Sequence, residues 1–260
     1  MVCPRIGGDD AVGDEGDEGD EGDAAGDGPA EGTERSPEDA GPPRRPPLAV
    51  LDVAPMLADG PLAGLAVEVL HGRMPSEAKD DVMRRFAAGE VDVLVVNLGH
   101  PAPSTQAVEA TDAEWRDTFA ALVDPLPRLV RAVLPQMIAR RSGRILVMGS
   151  AAALRGQKRT STYSAARGAQ LAYVQSVGLE VAPHNVQVNA IAQNLVDNPT
   201  YFPPEVQANP KFQERIKREV PLGRLVSARE DAEFAAYLCS PAAACFVGQV
   251  FPLCGGWVTR

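Results

Sequence analysis

Ser150, Tyr163 and Arg167 stand within the stretch GSAAALRGQKRTSTYSAARGAQ, residues 149–170. Tyr163 and Arg167 are four positions apart, so on a helix they project from one face. A guanidinium within about 4–6 Å of a phenol favours the phenolate, and arginine keeps its charge at every relevant pH. The pair reads as a general base for an alcohol proton. Ser150 lies just past the apolar run RILVMG and is placed to share a hydrogen bond with the same substrate oxygen. The same spacing also produces solvated cation–π pairs with no chemistry attached, so the pattern alone leaves both readings open.

A strand end and a helix must hold these groups. VDVLVVN (Val91–Asn97) is a continuous apolar run, as in a parallel strand buried on both faces. DAEWRDTFAALVDPLPRLVRAVLPQMIARRSG reads as a long helical stretch interrupted by prolines and ended by Gly143. RILVMGS then reads as a strand, TYSAARGAQLAYVQSVGLEVAPHN as a helix and VQVNAIAQN as a strand. NPKFQERIKREVP and SAREDAEFAAYLCSP read as helices, and GQVFPLCGG as a closing strand. Upstream, LAVLDVAPMLADGPLAG has a helical cast, LAVEVLHG (Leu65–Gly72) reads as a strand, and Ser76 caps a helix that Gly89 ends. This alternation predicts a Rossmann-like, doubly wound parallel α/β sheet, whose ligands bind beyond the carboxyl ends of the strands. The apolar stripes around Trp115–Ile138 and Leu171–Leu179 are expected to be core or subunit contacts.

The formal charge of −10 is unevenly spread. Fourteen acidic residues lie between Asp9 and Asp39 against Arg35 alone, so the remainder is close to neutral. That argues against a body adapted to nucleic acid. Residues 1–47 are rich in Asp, Glu, Gly and Pro and cannot bury enough apolar surface to offset chain entropy, which predicts a disordered acidic segment. Residues 48–260 are expected to form a single α/β domain. Cys3, Cys239, Cys245 and Cys254 show no C-x-x-C spacing, and His71, His100 and His184 are scattered, so no metal site is expected. No apolar run is long enough to span a membrane and no charged, apolar leader appears, so the chain reads as cytoplasmic with no membrane partner.

Residues 91–260 resemble the halohydrin dehalogenases, relatives of the short-chain dehydrogenases/reductases. The likeness rests on VVNLG, LVMGSAAA, YSAAR, HNVQVNAIAQN, NPTYF, VPLGRL, SAREDAEFAAYL and the terminal GGW, in that order and spacing. The reductases carry lysine where this chain has Arg167. They carry Pro-Gly where it has Gln193-Asn194, and a helix asparagine where it has Leu122. They also have a T-G-x-x-x-G-x-G loop that occurs nowhere here. The resemblance implies a lyase that needs no nicotinamide and no other cofactor. Ser150 would orient the hydroxyl of a vicinal haloalcohol, Tyr163 would remove its proton and Arg167 would favour the phenolate. The product would be an epoxide and a halide, the reverse an epoxide opening by a small anion. The halide would rest against Gln193, Asn194, Leu195 and Val196, although Gln193 and Asn194 also read as a simple strand-end cap. Relatives associate as homotetramers, which makes a homo-oligomer the expected state.

Residues 1–95 look different. VLHGRMPSEAKDDVMRRFAAGEVDVLV resembles the second motor lobe of RecG-type DNA helicases. The G-x-x-x-x-G-K-[ST] phosphate loop is missing, so no helicase activity is expected. The seam falls in EVDVLVVNLG, between a helicase-like 48–95 and a dehalogenase-like 96–260. Two alternative readings stand beside the dehalogenase: an inactive chimera, and an NAD(P)-dependent short-chain oxidoreductase.

Overall fold

Val93–Val96 forms the first strand, β1, of a computed structural model that describes residues 92–100, 102, 104–198 and 201–259 together with positions 77, 81, 84, 85, 88 and 89. The acidic segment 1–47, the Leu65–Gly72 strand and almost all of the helicase-like piece lie outside the described residues. After β1 come α1 (Asp112–Leu122), α2 (Pro125–Arg140), β2 (Gly143–Ser150) and α3 (Ser161–Val181). Then follow β3 (Val186–Gln193), α4 (Pro204–Ala208), α5 (Pro210–Glu219), α6 (Ala228–Leu238) and β4 (Val250–Leu253).

Among the described residues the strands make one four-stranded sheet in the order β1-β2-β3-β4, with every pairing parallel. Parallel neighbours need a crossover, and helices supply each one. On one face, Leu126, Val130 and Met137 of α2 and Leu171, Val174 and Val181 of α3 pack with Ile145, Val147 and Val188. On the other, Leu238 and Phe234 of α6 meet Leu146, Met148 and Ile191. Cover on both faces explains why nearly every residue of β2 and β3 is buried, including the polar Gln187 and Asn189 of β3. The Rossmann-like α/β architecture expected from the alternation is present.

Local chemistry sets the element ends. Thr111 caps α1 by accepting from the Glu114 N–H at 3.1 Å. Ser227 and Glu230 form a reciprocal capping box at α6, with the Glu230 N–H on Ser227 Oγ at 3.2 Å and the Ser227 N–H on Glu230 Oε2 at 2.8 Å. The proline-bearing stretch resolves into two helices broken at Val123–Asp124, and Pro135 is tolerated inside α2. Gly143 does not end that stretch, as the sequence had implied. Arg141 does, in the left-handed conformation (φ 52, ψ 40), while Gly143 opens β2 close under Met137. Its missing side chain serves packing there.

Alignment of the parallel strands puts one end of each on the same edge of the sheet. Ser150 closes β2, Gln193 closes β3, and the two are register partners; Gln193 is in turn the partner of Leu253. The candidate chemistry therefore lies at the carboxyl edge.

Candidate active site

Ser150 is the last residue of β2 and 8% exposed. Its Oγ accepts from the Ala152 N–H at 3.2 Å, capping a single turn of 3-10 helix over Ala151–Ala153. That bond uses one acceptor lone pair and leaves the hydroxyl proton free to donate. The chain then runs through residues 154–160 into α3, where Tyr163 occupies the first turn.

One turn later, Arg167 turns back onto the phenol. Its Nε donates to Tyr163 Oη at 3.0 Å, and the guanidinium carbon stands 5.1 Å from the ring centroid. This is not an exposed pair, because Arg167 is 6% exposed. Its Nη1 donates to the Met148 carbonyl at 3.3 Å and to Gln170 Oε1 at 3.0 Å. A charge buried this far requires such partners. The Met148 contact also ties Arg167 to the strand that carries Ser150, two residues further on. Tyr163 and Arg167 are thus tied to the strand that ends at Ser150, although no hydrogen bond joins Ser150 directly to Tyr163 among the described residues.

The loop after β3 is fixed on several sides. Gln193 Nε2 donates to Asp231 Oδ2 of α6 at 2.5 Å. The Asn194 N–H donates to the Leu253 carbonyl at 3.1 Å, and the Leu195 N–H to Asn194 Oδ1 at 3.1 Å. Leu195 takes a left-handed φ of 55. Val196 bridges to Val226, whose N–H donates to the Leu195 carbonyl at 2.9 Å. Two of the N–H groups expected to face an anion are therefore engaged within the protein. The Val196 N–H takes no hydrogen-bond partner among the described residues, and Leu195, half-buried against the main core, supplies apolar wall. Gln193 is a tie to α6, and its side chain is committed there.

Trp257, near the chain end, packs into the main core. It is 6% exposed, its ring lies under the Arg155 guanidinium at 4.5 Å, and its carbonyl accepts from Arg155 Nη1 at 2.8 Å. These contacts clamp the final segment onto the loop between Ser150 and Tyr163. Gln170 and Asp231 were missed by sequence reasoning. The signal for Gln170 was an amide inside the apolar stripe of α3, three residues beyond Arg167; Asp231 carried no signal beyond its position in a helix.

Burial raises the Asp231 carboxyl above the ordinary aspartate range, against the opposing pull of the Gln193 amide. Among the described residues no group of three His, Cys, Asp or Glu is placed to hold a metal, and no helix is long and apolar enough to cross a membrane.

Nε and Nη1 of buried Arg167 are spent inside the protein, which leaves Nη2 as its remaining donor group.

A family model described as enoyl-(acyl carrier protein) reductase matches residues 53–258, a range that takes in most of residues 48–95, for which the sequence had suggested a helicase origin. The uncharacterized oxidoreductase YmfI of Bacillus subtilis is 32% identical over 196 residues, covering 75% of this chain and 78% of that protein. The 3-oxoacyl-[acyl-carrier-protein] reductase FabG of Escherichia coli is 31% identical over 181 residues, 68% of this chain and 71% of its own. Among solved structures, halohydrin dehalogenase (HheC) bound to ethyl (2S)-oxiran-2-ylacetate is 31% identical with a TM-score of 0.67, covering 81% of this chain and 85% of that one.

Proposed function

The chain belongs to the short-chain dehydrogenase/reductase superfamily, and within it we propose that the protein is a halohydrin dehalogenase that works without a nicotinamide. The observation that carries this reading is the buried Arg167 guanidinium, bonded to Tyr163 Oη at 3.0 Å and otherwise committed to Met148 and Gln170. The likeness to a solved dehalogenase adds to it.

The hydroxyl of a vicinal haloalcohol sits between Ser150 Oγ and Tyr163 Oη. Ser150 donates to the substrate oxygen, and the Tyr163 phenolate, held by Arg167, takes its proton. An oxygen lone pair forms the new C–O bond to the neighbouring carbon while the carbon–halogen bond breaks. The halide leaves with the bonding pair toward the Val196 N–H and the Leu195 wall, a nest that needs no full counter-charge. Tyr163 then passes its proton to water. The reverse reaction opens an epoxide with a small anion.

Assembly as a homotetramer in the cytoplasm is part of the same proposal. The exposed apolar side chains of Trp115 (47%), Leu179 (70%) and Tyr237 (41%) support association.

A second reading, an NAD(P)-dependent ketone reductase, is favoured by the names of the sequence relatives. Incubation of the purified chain with a terminal epoxide and azide separates the two. Azidoalcohol formation without nicotinamide supports the dehalogenase. NADPH consumption with a ketone and no ring opening supports the reductase, and neither activity from folded protein supports an inactive chimera.

A further inference from the structure

Gln170 is a buried amide in the middle of an apolar stripe. It is 0% exposed and lies next to Leu171, itself 4% exposed. An unpaired amide there would leave a buried polar group without its water partners, yet both ends of this one are paired. Its Nε2 donates to the Leu122 carbonyl at 2.5 Å, and its Oε1 accepts from Arg167 Nη1 at 3.0 Å. Leu122 is the last residue of α1. Its carbonyl is one of the four that a helix leaves without an internal partner, and it carries part of the negative end of the helix dipole. A continuous relay runs from the end of α1 through Gln170 and Arg167 to the Tyr163 hydroxyl.

We infer that Gln170 is a positioning residue for the base: it fixes the plane of the Arg167 guanidinium so that Nε points at Tyr163 Oη, and it does so without neutralising the cation. The inference rests on the reading of Tyr163 as the base. Two features make glutamine suited to the task. Its carbonyl oxygen and the Met148 carbonyl hold Nη1 between them, so the fork cannot turn and the remaining donor direction is set. It is also uncharged. A carboxylate at the same place would accept the same hydrogen bond but would draw off the positive field that favours the phenolate.

That distinction supplies the test. Gln170→Glu keeps length and acceptor and adds a negative charge; Gln170→Met keeps length and removes both polar atoms. Each is made with and without Tyr163→Phe, and the tyrosinate absorbance belonging to Tyr163 is taken by difference as pH rises. This readout needs no substrate, so it decides on Gln170 even if the unaltered chain releases no halide. Such a silent chain would instead count against the dehalogenase reading.

The expected result is a Tyr163 band displaced to higher pH in both variants, further in Gln170→Glu, which adds a negative charge. In an active protein kcat falls while KM stays, and the acid limb of the rate profile moves the same way. A role confined to packing would leave the Tyr163 band in place in Gln170→Met, the variant that adds no charge. A band at the same pH in the unaltered protein and in either folded variant overturns the inference, and each variant is sufficient by itself.

Discussion

Gln193 Nε2 donates to Asp231 Oδ2 at 2.5 Å, which ties the carboxyl end of β3 to the first turn of α6. The other carboxyl oxygen, Oδ1, is buried without a hydrogen-bond partner. Burial raises the Asp231 carboxyl above its ordinary range, so the folded protein binds the proton more readily than the unfolded chain. By linkage this contribution is fully present at pH values below the ordinary aspartate range and is lost as pH rises from there through the folded titration point. Asp231→Asn removes the titration. The variant is expected to be more stable than the unaltered chain at neutral pH, by a few tenths to about 1 kcal/mol. That advantage should shrink as pH falls toward the ordinary aspartate range, and urea midpoints across pH measure both quantities.

Helix α3 lies unusually close to β3 and to the turn before β4. A Cβ on Gly178 would stand 2.6 Å from the Gly248 backbone nitrogen and 2.9 Å from the Val188 carbonyl oxygen. Neither is the end of a flexible side chain, so the helix itself must shift. Gly178→Ala is expected to cost about 1–3 kcal/mol despite the better helix propensity of alanine. The shift would also reach Tyr163 and Arg167 on the same helix, so activity should fall along with the melting temperature.

Thr118 on α1 is 0% exposed, and its hydroxyl is buried without a partner. Replacing an unpaired buried hydroxyl by a methyl of the same shape removes a desolvation cost of about 1 kcal/mol. Thr118→Val is expected to raise the thermal midpoint or leave it unchanged. A loss of stability in that variant would mean that the hydroxyl meets an acceptor after all.

Arg167→Lys is not conservative at this position. Lysine offers a single ammonium where Arg167 uses two nitrogens to reach Tyr163, Met148 and Gln170. Dehalogenation is expected to fall by about 10²–10⁴-fold, the range for losing a positioned general base. The folded state should persist, because the two acceptors left behind can be met in part by the ammonium. Steady-state kinetics with a bromoalcohol and circular dichroism of the variant check the two halves of this expectation.

Much of this was legible because the signals are local. The continuous apolar run at Val91–Asn97 announced a strand buried on both faces, RILVMGS and VQVNAIAQN read as further strands, and the i, i+4 spacing of Tyr163 and Arg167 announced a shared helix face. The end of α2 was not legible, because nothing in the sequence marks Arg141 rather than Gly143 as the left-handed residue. Gln170 and Asp231 were missed for a related reason. Their roles depend on partners 48 and 38 residues away, Leu122 and Gln193, and only the fold brings those together. The loop from Gln193 to Val196 was found by resemblance, but the commitment of its Asn194 and Leu195 N–H groups required the neighbouring strand and the Asn194 side chain.

The central claim is that Tyr163, held by Arg167, removes a proton from an alcohol whose oxygen then expels a halide, with no nicotinamide involved. A pH-stat with a bromide electrode, run on a vicinal bromoalcohol and cofactor-free protein, reads both products of that step together. The account expects one proton and one bromide released per epoxide formed, at equal rates, with both signals lost in Tyr163→Phe. Folded, unaltered protein that releases neither, or release that survives in Tyr163→Phe, would contradict it.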